Sequence, residues 1–296
     1  MVCPPPLHPG DRVVVVAPSG PFEPALGWLG LGWLSQRYQV EFRRDIFRTQ
    51  GYLAGDRARR AEELTAALAH PTARAVVAMR GGYGLHQIAH LVDWQAFQRN
   101  PKWIVGFSDI TVLHLEASRA GVMSLHAPML ALLGRSCEAD RARWIDALEH
   151  PERARQWAGL RTLHPGHATG PLCGGNLTVL HASAAAGRLK FPQQGILFLE
   201  DVGERPYRID RMLTTLQLGG HLQGLAGVVL GQFTHCNPGA DGVGVSEVLG
   251  CILGGLGIPV IMGLEAGHDL RNDPFVLGAT ATIEASAETG CVRVCV

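Results

Sequence analysis

The sequence predicts an α/β fold, with an N-terminal doubly wound parallel-sheet domain and a smaller, β-rich C-terminal α/β domain. Short runs of consecutive apolar residues recur in the first half of the chain, as in parallel strands buried on both faces. These runs alternate with helical patterns, which indicates βαβ units. The 296 residues, 47% of them hydrophobic, are enough for two domains with their own cores.

The elements of the first domain follow from local composition. Strands are predicted from Arg12 into the turn residues before Gly20, over Tyr38 to Phe42, over Ala75 to Met79 and over Trp103 to Phe107. Helices are predicted around Gly27 to Gln36, over Asp56 to Ala69 with Pro71 as the stop, over Leu85 to Leu91 and from Asp109 onward. We expect this domain to span residues 1–155.

The second domain follows a segment of different character. Residues 156–169 are predicted to be a linker, because the stretch around Leu163 to Pro171 is rich in turn residues. Residues 170–296 then form the C-terminal domain. Its predicted strands are Gly195–Glu200, Leu225–Leu230 and Gly278–Glu284, and its predicted helices are Ile209–Leu218 and Ser246–Leu253.

Composition excludes several functional classes. The 26 basic and 26 acidic residues balance, and no basic stripe with interleaved aromatics is present, so we expect no nucleic-acid partner. No apolar stretch approaches 18 residues, so no membrane span is expected. The N-terminus has no signal-peptide pattern and the seven cysteines include no CxxC, which favours a cytoplasmic protein with reduced thiols, including Cys291 and Cys295.

Ser108 is the most informative residue of the first domain. It ends an apolar run and precedes a helical pattern, which predicts a strand, a sharp turn and a helix. Such a turn exposes a side chain at the carboxyl end of a parallel strand and aims helix N–H groups at the group that the serine attacks. The alternative is that Ser108 only caps the helix.

A second strand end is rich in glycine. The turn Gly81-Gly82-Tyr83-Gly84 would let backbone N–H groups approach an anion or an oxyanion, although glycine-rich turns are common in loops of every kind. It has neither the GxxxxGK[ST] nor the GxGxxG spacing, so no nucleotide cofactor is predicted. His164 and His167 have loose metal-like spacing but no acidic or cysteine partners nearby, so no metal is predicted either.

A serine nucleophile needs a base and a group that orients the base. Of the thirteen histidines, His268 lies in a polar, glycine-flanked loop after an apolar run, whereas His114 lies on the helix after Ser108 and His126 ends a short strand. Glu200 and Asp201 follow a wholly apolar strand. A carboxylate at such a strand end is either part of a functional site or part of a surface turn.

Together these segments resemble the LD-carboxypeptidases of murein recycling, a serine peptidase family that includes microcin C immunity proteins. The resemblance covers nearly the whole chain. The matching motifs lie at Pro9–Gly20, Gly51–Gly55 with Arg60-Ala61, Arg80–Gly84, Gly106–Thr111, His126–Met129, Gly174–Leu177, Leu199–Asp201 with Pro206-Tyr207 and Ile209–Arg211, Gly267-His268 and Pro274–Gly278.

The resemblance implies a Ser-Glu-His triad of Ser108, Glu200 and His268. Ser108 would attack the scissile carbonyl, His268 would carry the proton, and Glu200 would orient His268. Backbone N–H groups of Gly82 and Asp109 would form the oxyanion hole.

The resemblance also implies a site in the cleft between the domains, a homodimer, and a murein tetrapeptide from which terminal D-Ala is released. Because that substrate carries a free carboxylate, Arg80 and Arg208 are candidate anchors, with Tyr83 as a further candidate substrate-binding residue; structural ion pairs are the alternative for both arginines.

Two other functions remain open at this point. An immunity-type amidase would cleave a peptidyl- or aminoacyl-adenylate analogue, and the compact length of the chain favours the carboxypeptidase over it. A non-enzymatic binding protein would hold a small peptide with Ser108 and His268 far apart.

Overall fold

The computed structural model describes residues 1–296, which form two compact units. One unit comprises residues 1–151 and 273–276, and the other comprises residues 152–272 and 277–296. The predicted α/β architecture, with an N-terminal parallel sheet and a β-rich C-terminal domain, is confirmed. No helix combines the length and the apolar character needed to cross a bilayer.

The N-terminal unit is built on one six-stranded sheet. Its strands, numbered along the whole chain, are β1 (Arg12–Val16), β2 (Gln39–Phe42), β3 (Ala75–Ala78), β4 (Trp103–Gly106), β5 (Ser124–His126) and β11 (Phe275–Leu277). The order is β11-β5-β4-β3-β1-β2, and β1 to β5 pair in parallel. The order reverses between β1 and β3, where ligands of open α/β sheets bind beyond the carboxyl ends of the strands.

Burial explains why these short segments are strands. Every residue of β3 and β4 is buried, as expected of parallel strands covered on both faces. The covering helices are α1 (Pro24–Leu34), α2 (Arg57–Ala69), α3 (Trp94–Arg99), α4 (Thr111–Arg119), α5 (Leu130–Leu133) and α6 (Glu138–Glu149).

Two helix predictions have different outcomes. The helix expected from Asp56 is present, and the Asp56 carboxylate caps it by accepting from the Arg59 N–H at 2.8 Å. The helix expected over Leu85 to Leu91 is two 3₁₀ turns instead, Leu85–Gln87 and Ala89–Leu91. Neither turn has a side-chain cap, and Ile88 between them departs from helical geometry with φ −129°.

The C-terminal unit is a closed barrel with three helices. Its strands are β6 (Arg155–His164), β7 (Gly166–Asn176), β8 (Ile196–Val202), β9 (Gly227–Thr234), β10 (Val260–Met262), β12 (Thr280–Ala285) and β13 (Gly290–Cys295), in the order β10-β6-β13-β12-β7-β8-β9. Helices α7 (Leu177–Ala185), α8 (Pro206–Leu218) and α9 (Val245–Gly254) complete it.

Residues 156–169 differ from the predicted linker, because they lie in β6 and the first part of β7. Only Pro165 separates the two strands. The composition suggested a linker because most side chains in this segment face solvent. The segment is nevertheless part of the barrel, because its main chain pairs with β10, β12 and β13.

The chain re-enters the N-terminal unit late, at Asp273–Val276. The Phe275 ring stacks on that of His126, with ring centroids 4.6 Å apart. Asp273 forms an ion pair with Arg143, with 3.1 Å between Asp273 Oδ1 and Arg143 Nε. Strand β11 thereby completes the edge of the sheet beside β5.

Candidate active site

Ser108 lies at a sharp turn between β4 and α4. Its φ of 63° falls in the left-handed region, which a non-glycine residue adopts at a cost of about 1–3 kcal/mol. The turn continues as a 3₁₀ segment, Ser108–Ile110, and Phe107 and Ile110 occupy the cap positions without side-chain cap bonds. Ser108 is therefore not a helix cap, and the strained turn presents its hydroxyl at the carboxyl end of β4.

The glycine turn after β3 packs directly against Ser108. A Cβ on Gly81 would lie 2.9 Å from the Ser108 Cβ, closer than such atoms approach, and 3.1 Å from the Ser108 Oγ. Only glycine therefore allows the two strand ends to meet here. The neighbouring Gly82 is exposed, and neither its N–H nor that of Asp109 donates to another main-chain carbonyl.

The Asp109 side chain ties three strand ends together. Its buried Oδ2 accepts hydrogen bonds from Ser19 Oγ at 2.6 Å and from the Leu85 N–H at 3.0 Å. Ser19 follows β1, Leu85 follows the glycine turn after β3, and Asp109 follows β4. Burial raises the pKa of Asp109 to about 6, against the opposing effect of the two hydrogen bonds.

A buried arginine, Arg60, holds the same loops together through hydrogen bonds. The Arg60 guanidinium donates to the carbonyls of Pro18 at 2.9 Å and Gly84 at 3.0 Å, and to Gln87 Oε1 at 2.6 Å. Desolvation lowers the pKa of Arg60 from its usual value. The sequence predicted no role for Arg60 or Ser19, both of which lie within the matching motifs. A serine in the turn after an apolar strand is a signal that could have identified Ser19.

His114 is a core residue and is unsuited to act as a base. Its Nε2 lies 2.9 Å from the Gly106 carbonyl and its Nδ1 lies 2.8 Å from Ser124 Oγ. Because a carbonyl only accepts, Nε2 donates and Nδ1 accepts the serine hydroxyl proton. Burial lowers the pKa of His114 to about 4, so the ring is neutral at physiological pH and both nitrogens serve the structure.

In the C-terminal unit, Glu200 and His268 form a hydrogen-bonded pair. Glu200 lies on β8 and is fully buried, and its Oε2 is 2.7 Å from His268 Nδ1. The Nδ1–H donates to the carboxylate, which leaves Nε2 as the nitrogen that carries the lone pair. This is the carboxylate–imidazole arrangement that a general base requires.

Asp201, the other carboxylate at this strand end, has a structural role. Its Oδ2 accepts from the Thr178 N–H at 2.9 Å and from Thr178 Oγ1 at 2.8 Å, and Asn176 Nδ2 donates to its Oδ1 at 3.2 Å. Because successive strand residues point to opposite faces, Glu200 meets His268 while Asp201 meets the start of α7.

The remaining candidates lie at exposed positions. Arg80 donates to the Pro21 carbonyl, and Tyr83 is 47% exposed with its ring centroid 5.8 Å from that of Tyr52. On α8, Arg208 donates to the Tyr207 hydroxyl at 3.2 Å and lies 3.5 Å from a Glu204 carboxylate oxygen. Arg80 therefore has a backbone partner and Arg208 a weak, exposed ion pair.

The candidates fall into two groups. Ser108, Gly82, Asp109, Arg80 and Tyr83 belong to the N-terminal unit. Ser108 and Asp109 lie in one turn there, and Gly82 follows Gly81, which packs against Ser108. Glu200, His268 and Arg208 belong to the C-terminal unit, where the first two are in direct contact. His164 ends β6 and His167 lies on β7, and no cluster of three or more histidine, cysteine or carboxylate side chains has metal-binding geometry.

Comparison with known proteins identifies the family of both units. Residues 13–127 match the family model of the LD-carboxypeptidase N-terminal domain, and residues 169–283 match that of its C-terminal domain. A putative carboxypeptidase of Streptomyces coelicolor is 40% identical, over 98% of this chain and 95% of its own length. The chain belongs to the LD-carboxypeptidase family.

Among LD-carboxypeptidases, the murein tetrapeptide carboxypeptidase of Pseudomonas aeruginosa is 32% identical over 79% of this chain and 80% of that protein. The crystal structure of a muramoyltetrapeptide carboxypeptidase from Oxalobacter formigenes superposes with a TM-score of 0.86 at 26% identity, covering 97% of this chain and 99% of that one. The microcin C7 self-immunity protein MccF shares the fold, with a TM-score of 0.85 at 18% identity, covering 100% of this chain and 99% of that one.

Proposed function

We propose that this LD-carboxypeptidase family member is a serine hydrolase that cleaves the L,D amide bond before the terminal D-Ala of a murein tetrapeptide. The observation that carries the proposal is the 2.7 Å contact between the fully buried Glu200 and His268 Nδ1. This contact orients the imidazole so that it can act as a general base. The strained turn at Ser108 presents a hydroxyl group, which a general base can activate as a nucleophile.

In the proposed acylation step, Ser108 Oγ attacks the carbonyl carbon of the scissile amide while His268 Nε2 takes the hydroxyl proton. Glu200 stabilises the imidazolium that forms and keeps the proton on Nδ1. The tetrahedral oxyanion accepts hydrogen bonds from the N–H groups of Gly82 and Asp109, which have no main-chain acceptor of their own.

Collapse of the tetrahedral intermediate breaks the C–N bond. His268 returns its proton to the departing amine, so D-Ala leaves as a neutral amine and an acyl ester remains on Ser108. Water then attacks the ester, His268 takes a proton from it, and the same proton returns to Ser108 Oγ when the tripeptide acid is released.

The same proposal assigns substrate recognition to charged and aromatic side chains. The D-Ala carboxylate needs a cationic partner, for which Arg80 beside the glycine turn and Arg208 on α8 are our candidates. Tyr83 offers an exposed ring beside the proposed oxyanion hole. We further propose that the enzyme works in the cytoplasm as a homodimer, as the family resemblance implies.

Substitution Ser108→Ala tests the mechanism most directly. We expect the release of D-Ala from a defined tetrapeptide to fall by about 10⁶-fold in kcat, because removing the nucleophile of a triad abolishes the covalent route. We expect the fold to be preserved, because the 3₁₀ segment that Ser108 begins has no side-chain cap bond. D-Ala release by the variant at the wild-type rate would contradict the serine mechanism.

The second candidate function is the immunity-type amidase, which the shared fold with MccF favours. It uses the same triad on an aminoacyl-sulfamoyl nucleoside. Parallel turnover assays of the tetrapeptide and an aminoacyl-sulfamoyl adenosine decide between the two, and faster turnover of the nucleoside would reverse our assignment.

A further inference from the structure

Gln232 on β9 holds the loop that carries His268. Its Oε1 accepts a hydrogen bond from the Asp269 N–H at 3.0 Å, and its Nε2 donates to the Arg271 carbonyl at 3.0 Å. Its own N–H donates to the Ala266 carbonyl at 2.9 Å. One residue of a barrel strand thus fixes the loop on both sides of the imidazole.

The loop lies so close to Glu200 that small displacements would change the pair. Gly267 has φ 141°, and a Cβ there would lie 3.2 Å from Glu200 Oε2 and 3.1 Å from Gln232 Cβ. The Gly267 N–H also donates to Asn272 Oδ1 at 3.1 Å. The backbone beside His268 is therefore packed between the orienting carboxylate and Gln232.

The amide group suits this task better than its isosteres. It supplies one acceptor and one donor at the end of one side chain, which matches an N–H and a carbonyl two residues apart in the loop. A glutamate would keep the acceptor for Asp269 and place a second acceptor against the Arg271 carbonyl. A methionine of similar volume would satisfy neither group.

We infer that Gln232 is a positioning residue that sets the orientation of His268 toward Glu200. The effect on turnover rests on the proposed function, whereas the effect on the loop does not. The loop retains other attachments when the side chain is lost, because the N–H groups of Gly263 and Leu264 bond to the Leu230 carbonyl at 3.0 and 3.2 Å. Loss of the amide therefore loosens His268 without detaching the loop.

The kinetic test compares Gln232→Met with Gln217→Met, a matched change at an exposed glutamine on α8. We expect kcat for D-Ala release to fall by about 10- to 100-fold in Gln232→Met, because misplacement of a reacting group by about 1 Å costs up to about 100-fold. KM stays within about twofold because no substrate contact is removed, and Gln217→Met behaves as wild type.

The structural test needs no substrate. Hydrogen exchange of the Asp269 amide, measured by NMR, should quicken in Gln232→Met, and the His268 Nδ1–H proton signal should broaden as its bond to Glu200 becomes less well ordered. Gln232→Glu should restore protection of Asp269, since it keeps that acceptor, and recover part of kcat. Comparable Tm values for all variants establish that they are folded.

The outcomes separate this inference from the proposed function. Unchanged exchange at Asp269 and an unchanged His268 signal in Gln232→Met would overturn the positioning role, whatever the activity. A wild-type kcat with a disturbed loop would overturn it too. Full activity of Ser108→Ala would instead overturn the proposed mechanism. The two NMR measurements would then still decide whether Gln232 positions the His268 loop.

Discussion

The two halves of the candidate site are held by different means. The Ser108 region depends on backbone conformation: a left-handed serine, a glycine turn without space for a Cβ, and one buried carboxylate that joins three strand ends. The His268 region depends on side chains that reach across from barrel strands, Glu200 to the ring and Gln232 to the loop.

The two halves are vulnerable to different kinds of substitution. Added volume damages a site fixed by close backbone contact, while conservative polar changes damage a site fixed by hydrogen-bond donors and acceptors. The loss of Ser108, the proposed nucleophile, is the largest effect that we expect. Substitutions in the two halves should then have effects of different kinds.

Glu200→Gln should cause the largest loss in the side-chain half. The amide can present its NH₂ to His268 Nδ1, which moves the ring proton to Nε2 and removes the base, so kcat for D-Ala release falls by about 10⁴-fold. The control is Asp201→Asn, because the neighbouring carboxylate bonds Thr178 and not His268. Equal losses of kcat in the two variants would refute the assignment of Glu200 as the orienting group.

Gly81→Ala should have the next largest effect, this time in the backbone half. Its Cβ would lie 2.9 Å from the Ser108 Cβ, so the turn and the serine must separate. We expect kcat to fall by about 100-fold and the free energy of unfolding to fall by about 1–3 kcal/mol.

The matched control for that change is Gly32→Ala on the exposed side of α1, where nothing lies within 4 Å of the added Cβ. It should raise the free energy of unfolding by about 0.5–1 kcal/mol, as glycine in a helix interior is destabilising relative to alanine. Urea denaturation of both variants measures the contrast, and similar shifts in both would remove the steric argument.

Asp109→Asn should change how the stability of the protein depends on pH. The folded-state pKa of Asp109 is raised to about 6 from 3.8, so the folded protein binds the proton more tightly than the unfolded chain. The wild type therefore loses stability as pH rises from about 4 to about 6, by up to about 3 kcal/mol from this group.

The asparagine variant lacks that titration. The free energy of unfolding of the variant minus that of the wild type should thus become more positive between pH 4 and pH 7 in urea denaturation. A difference that stays constant or becomes more negative over that range would show that Asp109 carries no such desolvation penalty in the folded protein.

Local patterns were sufficient for the central strands of the parallel sheet and for candidate residues at strand ends. The apolar runs that form β3 and β4 are buried throughout and that of β1 is buried in part, and polar residues at the ends of predicted strands pointed to Ser108 and Glu200. Selecting His268 from thirteen histidines needed the resemblance to a family as well as its loop context, because nothing local distinguishes a base from a core histidine such as His114.

Long-range contacts were out of reach of the same patterns. The closed barrel was missed because β6 and the start of β7 expose most of their side chains and look like a polar linker. The bonds from Ser19 to Asp109 and from Gln232 to the His268 loop join residues far apart in sequence, so only the folded chain brings them together.

Strand β11 has a consequence for how the protein is made. The sheet that carries Ser108 is completed by Phe275–Leu277, close to the end of the chain, while the rest of that sheet is encoded before residue 127. A nascent chain emerging from the ribosome therefore exposes the open edge of β5 until almost all of the barrel has been synthesised. The sheet that carries Ser108 therefore reaches its full set of strands only after most of the barrel sequence has been made.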